Sequence, residues 1–442
     1  MSVLPKTALS FAAFLSIFFL QDSASALRWQ PTFASRLTLE PTYYFEDVYQ
    51  ETTQVAAAIR YEFEFESQPA TALRLRFSPW FYSDPASRSP NEMFIPDITE
   101  AAADYEAGDW KLKVGINRFA WGVTDDADPL DVVSARRYID LLSSQKRGTP
   151  SFGWTWEKEN WRLEAVYVPI QFESILPGEK SRWLPRDMTY NRQAGFDKIF
   201  LADRFSYGYM ERREVDEALK NNFGFRGDYR GRRYDVTVVF FQGAPTAPAI
   251  FTPIIEGTSV GTSAGNVVMA NHVTLQPVYY LRRTVGAGVV VPMDDWIVRL
   301  AYANSERLSG LQGLPGWAQR AVFGIETSFA VPFGSILRVR AQASFARHEE
   351  QADNLITSLD RIFDQAWILG LDLMSASDWV FSVTGLYDAA RSGGYARLKI
   401  ERKVAGGLTA SLTGDWFDGL SGTLLGTYRT NKRVVLSTTV FF

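Results

Sequence analysis

Lys111-Leu112-Lys113-Val114-Gly115-Ile116-Asn117 alternates polar with apolar side chains, the period of a β-strand whose two faces meet different surroundings. The pattern breaks at Trp121-Gly122-Val123-Thr124-Asp125-Asp126-Ala127-Asp128-Pro129-Leu130-Asp131. It continues through the basic pair Arg136-Arg137 into Tyr138 to Ser144. A strand that runs into a long charged loop is unusual in a compact soluble sheet. It suits a barrel wall whose loop folds into the barrel mouth.

The same alternation recurs along the chain. Arg60-Tyr61-Glu62-Phe63-Glu64-Phe65-Glu66, Leu73-Arg74-Leu75-Arg76-Phe77, Leu337-Arg338-Val339-Arg340-Ala341-Gln342-Ala343 and Arg397-Leu398-Lys399-Ile400-Glu401 each pair one apolar face with one ionic face. A soluble sandwich also alternates, but its outer face is rarely ionic over so many strands. A transmembrane barrel requires this arrangement, with apolar residues toward lipid and polar residues toward the lumen.

Several segments begin with a polar turn followed at once by Trp: Gly108-Asp109-Trp110, Glu159-Asn160-Trp161, Asp294-Asp295-Trp296 and Ser377-Asp378-Trp379. Trp at one point of each hairpin builds an aromatic belt at one membrane interface. These tight turns alternate with long connections at 122–149, 169–220, 243–276 and 349–364, the asymmetry between periplasmic and extracellular ends of outer-membrane barrels. The chain closes on an alternating segment ending in Phe442, and a last strand must pair with the first to remove both sheet edges. The sequence predicts an all-β, antiparallel up-and-down barrel of about 18 strands with an inward-folded loop. Segments near 270–290 and 420–433 are ambiguous in that count.

Residues 1–26 read as a secretory leader and 27–442 as the barrel. Lys6 precedes an apolar run from Ala8 to Leu20, and Ala24-Ser25-Ala26 is a small-residue cleavage site. No later stretch approaches the roughly 20 apolar residues a spanning helix needs, and the mean hydropathy of -0.13 is too low for a helical membrane protein. The chain has no Cys, so its stability does not come from the disulfides common in small exported domains. Its net charge of -4 is not the balance of a nucleic-acid binder. The expected location is the outer membrane of a Gram-negative cell. Expected partners are outer-membrane lipid and lipopolysaccharide, the barrel assembly machinery and small polar solutes. Self-association into an oligomer is left open.

The inward phase of the alternation nominates Arg74, Arg76, Lys111, Lys113, Arg338, Arg340, Arg397 and Lys399 as basic lumen-wall groups. They can pair with acids on neighbouring strands and keep the wall hydrated, or stand unpaired and set a field that admits anions. The loop nominates a constriction. Asp128-Pro129 suits a helix N-cap and first turn, with Leu130, Val133 and Leu141 seating a short helix against the wall. That leaves Asp125, Asp126, Asp131, Arg136 and Arg137 to border the opening alongside Asp128. The alternative is an external loop lying over the rim. The Asp cluster also has the oxygen chemistry of a Ca²⁺ site, but the EF-hand Gly and closing Glu are absent. No cofactor is called for.

Two stretches resemble known families. Phe119-Ala120-Trp121-Gly122 running into Asp126 to Val133 resembles a segment of large porin-like outer-membrane barrels. Asp415-Trp416-Phe417-Asp418-Gly419, followed by Thr430 to Phe442, is similar to the end of the alginate-export family of barrels. The resemblance implies an 18-stranded barrel carrying solutes through the outer membrane. That family's lumen is strongly basic, whereas this one is mixed in sign. The reading is a passive channel for small polar or charged solutes and not an enzyme. An export or uptake conduit coupled to a periplasmic partner, a plugged structural barrel and a barrel-borne hydrolase are the alternatives. The last rests on Gly257-Thr258-Ser259-Val260-Gly261 and Gly261-Thr262-Ser263-Ala264-Gly265, which match a nucleophile-elbow pattern. Here they lie in a Gly/Ser/Thr-rich stretch that reads as a surface loop, with His272 as the available base.

Overall fold

In a computed structural model the chain is a closed β-barrel. The structure describes residues 31–46, 52–184, 189–190, 198–200, 204–208, 216–262, 265–309, 316–349, 355–358, 364–389, 392–420 and 424–442. The expected leader lies outside these.

Eighteen strands form one antiparallel sheet. The first, Pro31–Tyr44, pairs with the second, Val55–Ala70, and also with the last, Arg433–Phe441. The seam sets Leu39 opposite Thr438 and Thr42 opposite Val435, and Ser35 and Phe442 exchange backbone hydrogen bonds of 3.0 and 3.3 Å. Closure leaves the wall without an edge, as hydrocarbon demands. Segment 282–293 belongs to the wall, whereas Gly265–Val278 does not, which resolves the ambiguity near 270–290.

Exposure confirms which face meets lipid. In Trp110–Asn117, Trp110 and Leu112 are exposed while Lys111 and Lys113 are half-buried. This inverts a soluble protein, where the Leu would be inside. Short turns gather at the end that carries Pro31 and Phe442, and the long connections gather at the other. Trp110, Trp161, Trp296 and Trp379 each begin a strand on the short-turn side. Glu159, Asp294 and Asp378, just before three of them, have φ of 53°, 45° and 63°, the left-handed geometry of tight hairpin turns. The belt of Trp residues thus follows from turn chemistry that restarts these four strands in the same phase.

A second sheet stands over the long-loop end. Its centre is the hairpin Ala249–Thr262/Gly265–Val278, joined by Lys198–Phe200 and Phe205–Tyr207 in parallel and by Leu355–Ser358. The Gly257–Gly261 motif is therefore strand and not a loop, because its β-branched residues have a partner strand in register. Ser259 lies opposite Val268 and His272 opposite Glu256, so the register does not place them side by side. Ser263 lies outside the described residues.

Gly115 lies two residues before the end of its wall strand, where the chain bends toward the loop. Its φ is +127°, and a Cβ there would sit 2.2 Å from the carbonyl oxygen of Ala101, so only glycine fits. Gly115→Ala should destabilise the barrel by about 1–3 kcal/mol, read as a lower urea midpoint for the refolded protein in detergent. An unchanged midpoint would show that the strand relaxes without cost.

Candidate functional site: an eccentric lumen beside an inserted loop

The loop at 118–148 folds inward. Phe119, Trp121, Leu130, Val132 and Val133 are buried against Val166, Val168, Val239, Phe241, Ala301 and Ala303, all on the inward face of the wall. The Trp121 ring meets Phe241 edge-on at 6.5 Å. Leu130 reaches the wall because Gly286 lacks a side chain, and a Cβ there would lie 2.4 Å from Leu130 Cδ2. Burying these five side chains supplies the attachment, at roughly 1.5–3 kcal/mol for each large one.

Polar groups fix the rest. Gln342, across the lumen, accepts from the Asp126 amide and donates to the Ala127 carbonyl, both at 3.3 Å. Asp128 accepts from the Leu130 amide at 2.8 Å and from the Val123 and Thr124 amides. The expected helix after Asp128 does not form. That carboxylate reaches backward as well as forward and ties 123–130 into a turn, and the apolar side chains are claimed by the wall. The helical element is a 3-10 turn at Leu141–Ser143, capped by Asp140, whose side chain accepts from the Leu142 amide.

The nominated loop residues separate by role. Asp131 pairs with Arg136 at 2.7 Å and Lys146 at 2.8 Å. Arg137, 4% exposed, pairs with Asp97 at 2.6 Å and lies 4.3 Å over the Trp80 ring. Asp97 also pairs with Arg147 at 2.7 Å. Asp125 lies 3.5 Å from Arg299. Asp126 faces a small cleft with Arg340, and Asp128 and Asp131 face a separate side cavity. Most of the Asp cluster thus holds the loop to itself and to the wall. No group of His, Cys, Asp and Glu among the described residues has the geometry to hold a metal.

The loop fills one side of the barrel and leaves a cavity of 280 Å³ on the other. This cavity runs beside the first three strands and the last three. It is bordered by Arg137 and Asp140 from the loop, by Arg397 and Lys399 from the wall, and by Trp183, Arg182 and Lys180 from a second inserted segment. Its basic side chains are Arg60, Arg88, Arg137, Lys180, Arg182, Arg397, Lys399 and Arg433, against Glu40, Asp84, Glu92 and Asp140. The second segment is what the sequence reading missed. Arg182 donates to the carbonyls of Glu46 at 2.7 Å and Thr430 at 2.9 Å, and to Asn431 Oδ1 at 3.3 Å. Its guanidinium lies 4.4 Å over the Tyr44 ring. Trp183 packs on Phe417 and Tyr428.

The nominated wall bases are mostly paired. Arg74 meets Glu66 at 3.5 Å, Arg76 meets Glu100 at 2.8 Å and Asp104 at 3.1 Å, and Lys111 meets Asp104 at 3.5 Å. Arg338 meets Glu326 at 2.7 Å, Arg340 meets Asp372 at 3.2 Å, Arg397 meets Asp415 at 2.7 Å, and Lys399 meets Glu401 at 2.5 Å. Lys113 has no carboxylate within ion-pair distance among the described residues. Asp415 also receives Arg433 at 2.7 Å, which reaches on to Asp140 at 2.5 Å. Burial alone would raise the Asp140 carboxyl, but Arg433 and Arg397 hold it below the usual carboxylate range. Burial pushes Asp126 up, where only Arg340 opposes it.

No family model matches the sequence, and no curated protein matches it either. Solved structures match the fold. Acinetobacter baumannii OccAB3 superposes with a TM-score of 0.51 at 10% identity, covering 94% of this chain and 99% of that one. Pseudomonas aeruginosa OccK2 (OpdF), in complex with glucuronate, gives 0.50 at 9% identity, covering 93% and 97%. The chain therefore has the fold of porin-like outer-membrane β-barrels.

Asp97→Ala would leave Arg137 buried without its carboxylate. Removing one partner of a buried pair costs about 3–5 kcal/mol, and the loop should then become cleavable by protease within 118–148. A loop as resistant as the parent's would show that hydrophobic seating alone holds it.

Proposed function

We propose that the chain is an outer-membrane channel through which small polar and charged solutes diffuse passively. The observation that carries this is the ion-lined cavity left beside the inserted loop. A core packed for structure alone would be apolar, because a buried unpaired ion is costly. A wall kept ionic over the barrel's interior is a wall kept wet. The loop acids and bases Asp125, Asp126, Asp128, Asp131, Arg136 and Arg137 act in this reading as the constriction's frame. Arg137 and Asp140 border the passage directly, and Lys180 and Arg182 face them. Lys399 and the cavity's other basic side chains outnumber its acids and give the passage its basic excess, which favours anions, and Lys113 adds a further positive charge on the inward face of the wall outside it. The short turns at the other end offer little surface for a coupled periplasmic partner.

The test is single-channel conductance in a planar bilayer under a salt gradient. The parent should conduct steadily with a reversal potential on the anion side. A protein lacking residues 125–137 should conduct more, and Lys113→Glu with Lys399→Glu should move the reversal potential toward cations. Silence from the parent and the deletion alike would sink the channel reading.

A further inference from the structure

One cavity among the described residues is not in the lumen. It is a slot of 790 Å³ on the outward, lipid-facing surface, over strands between Trp317 and Gly419. Register explains it. Across neighbouring strands the outward positions run Ala341, Leu369, Gly385, Ala396, Trp416 in one row. The row above it, nearer the long loops, runs Ala343, Trp367, Tyr387, Gly394. Elsewhere this face carries large apolar groups such as Leu398, Val383 and Phe345, all exposed. Here the floor is Gly and Ala, and the rim is Trp367, Leu369, Tyr387 and Trp416, each at least half exposed.

Two features make the slot more than a stripe of small residues. A Cβ built at Gly385 would meet nothing within 4 Å, and one at Gly394 only the Leu386 carbonyl at 3.9 Å. The floor is thus open space and not a place where backbone or side chains already press in. The same strands are also braced from behind. Ile368, Leu386, Tyr395 and Phe417 point inward from them into a packed cluster with Trp183, Leu184 and Leu425. Where the ion-pair networks line the wall its inner face is polar, but this part is backed by an apolar core that holds its shape.

We propose that this slot holds one acyl chain of a membrane lipid. It is continuous with the belt that faces hydrocarbon, so a lipid tail is the neighbour that physics already places there. Its shape selects a narrow, unbranched occupant, because the aromatic rim stands above a floor stripped of side chains. A second barrel fits less well. A copy-to-copy interface needs a broad, self-matching surface on the order of 1,000 Å² or more in total, and rigid Trp and Tyr rings standing proud of a trough do not match themselves. A preformed slot also avoids the ordering cost that weakens binding to a mobile surface.

The experiment is native mass spectrometry of the full barrel after incubation with saturated-chain phosphatidylglycerol and stepwise delipidation in detergent. The parent should retain one lipid after the annular lipids are gone. Gly385→Leu with Ala396→Leu should fill the slot and cut retention by about tenfold or more, the equivalent of burying two or so fewer methylenes. The space around Gly385 lets this variant fold, and unchanged channel conductance verifies that it has. Equal retention by both proteins, or none by the parent, overturns the proposal. So does a parent that runs as an oligomer which the double variant breaks, since the slot would then be an interface between copies.

Discussion

Inside a bilayer every backbone N–H and C=O must find its partner within the protein, because no water is there to take it. The pairing of Pro31–Tyr44 with Arg433–Phe441 meets that demand for the sheet as a whole. Without the seam, two strands would carry unpaired edges into hydrocarbon. Closure then fixes an inside and an outside, and the alternation of side chains assigns each residue to one of them. The ionic lumen, the lipid belt and the apolar slot all follow from this one constraint.

The interior is not filled evenly. Inward residues of the middle strands are small or apolar where the inserted loop rests: Gly286, Ala301, Ala303, Val239 and Phe241. Ile368, Leu386, Tyr395 and Phe417 form a second inward apolar patch, which receives Trp183 and Leu184. Between these two dry contacts the wall keeps its ions. Asp415 gathers Arg397 and Arg433, and Arg433 carries the network to Asp140 on the loop. Hydrophobic seating and charge pairing are thus separated in space, and the gap between them is the ion-lined cavity.

Arg182 shows how loops are held where no sheet can hold them. It satisfies the carbonyls of two other loops and lies on an aromatic face. A lysine could not match this, since it lacks the planar fork that reaches several acceptors at once. Its role could not be read from the chain, where Ser181-Arg182-Trp183-Leu184 has no periodicity and no motif. The slot on the outer face was equally invisible, because it depends on which Gly and Ala fall beside one another across strands distant in sequence.

By itself the sequence determined the barrel, the two-faced alternation of its wall strands, the turn end marked by Trp110, Trp161, Trp296 and Trp379, and a long charged loop that breaks the pattern. These are local matters of period two, turn chemistry and a broken pattern, and each is written within a dozen residues. That the loop seats inward was decided by the wall it packs on. Tertiary structure alone decided what the charges do. Asp128 ties a turn and caps no helix, and Arg137 is buried against Asp97. Seven of the eight nominated wall bases find carboxylates, most of them on neighbouring strands. Ion pairing depends on register, and register depends on closing the whole sheet, so no stretch of the chain read singly contains it.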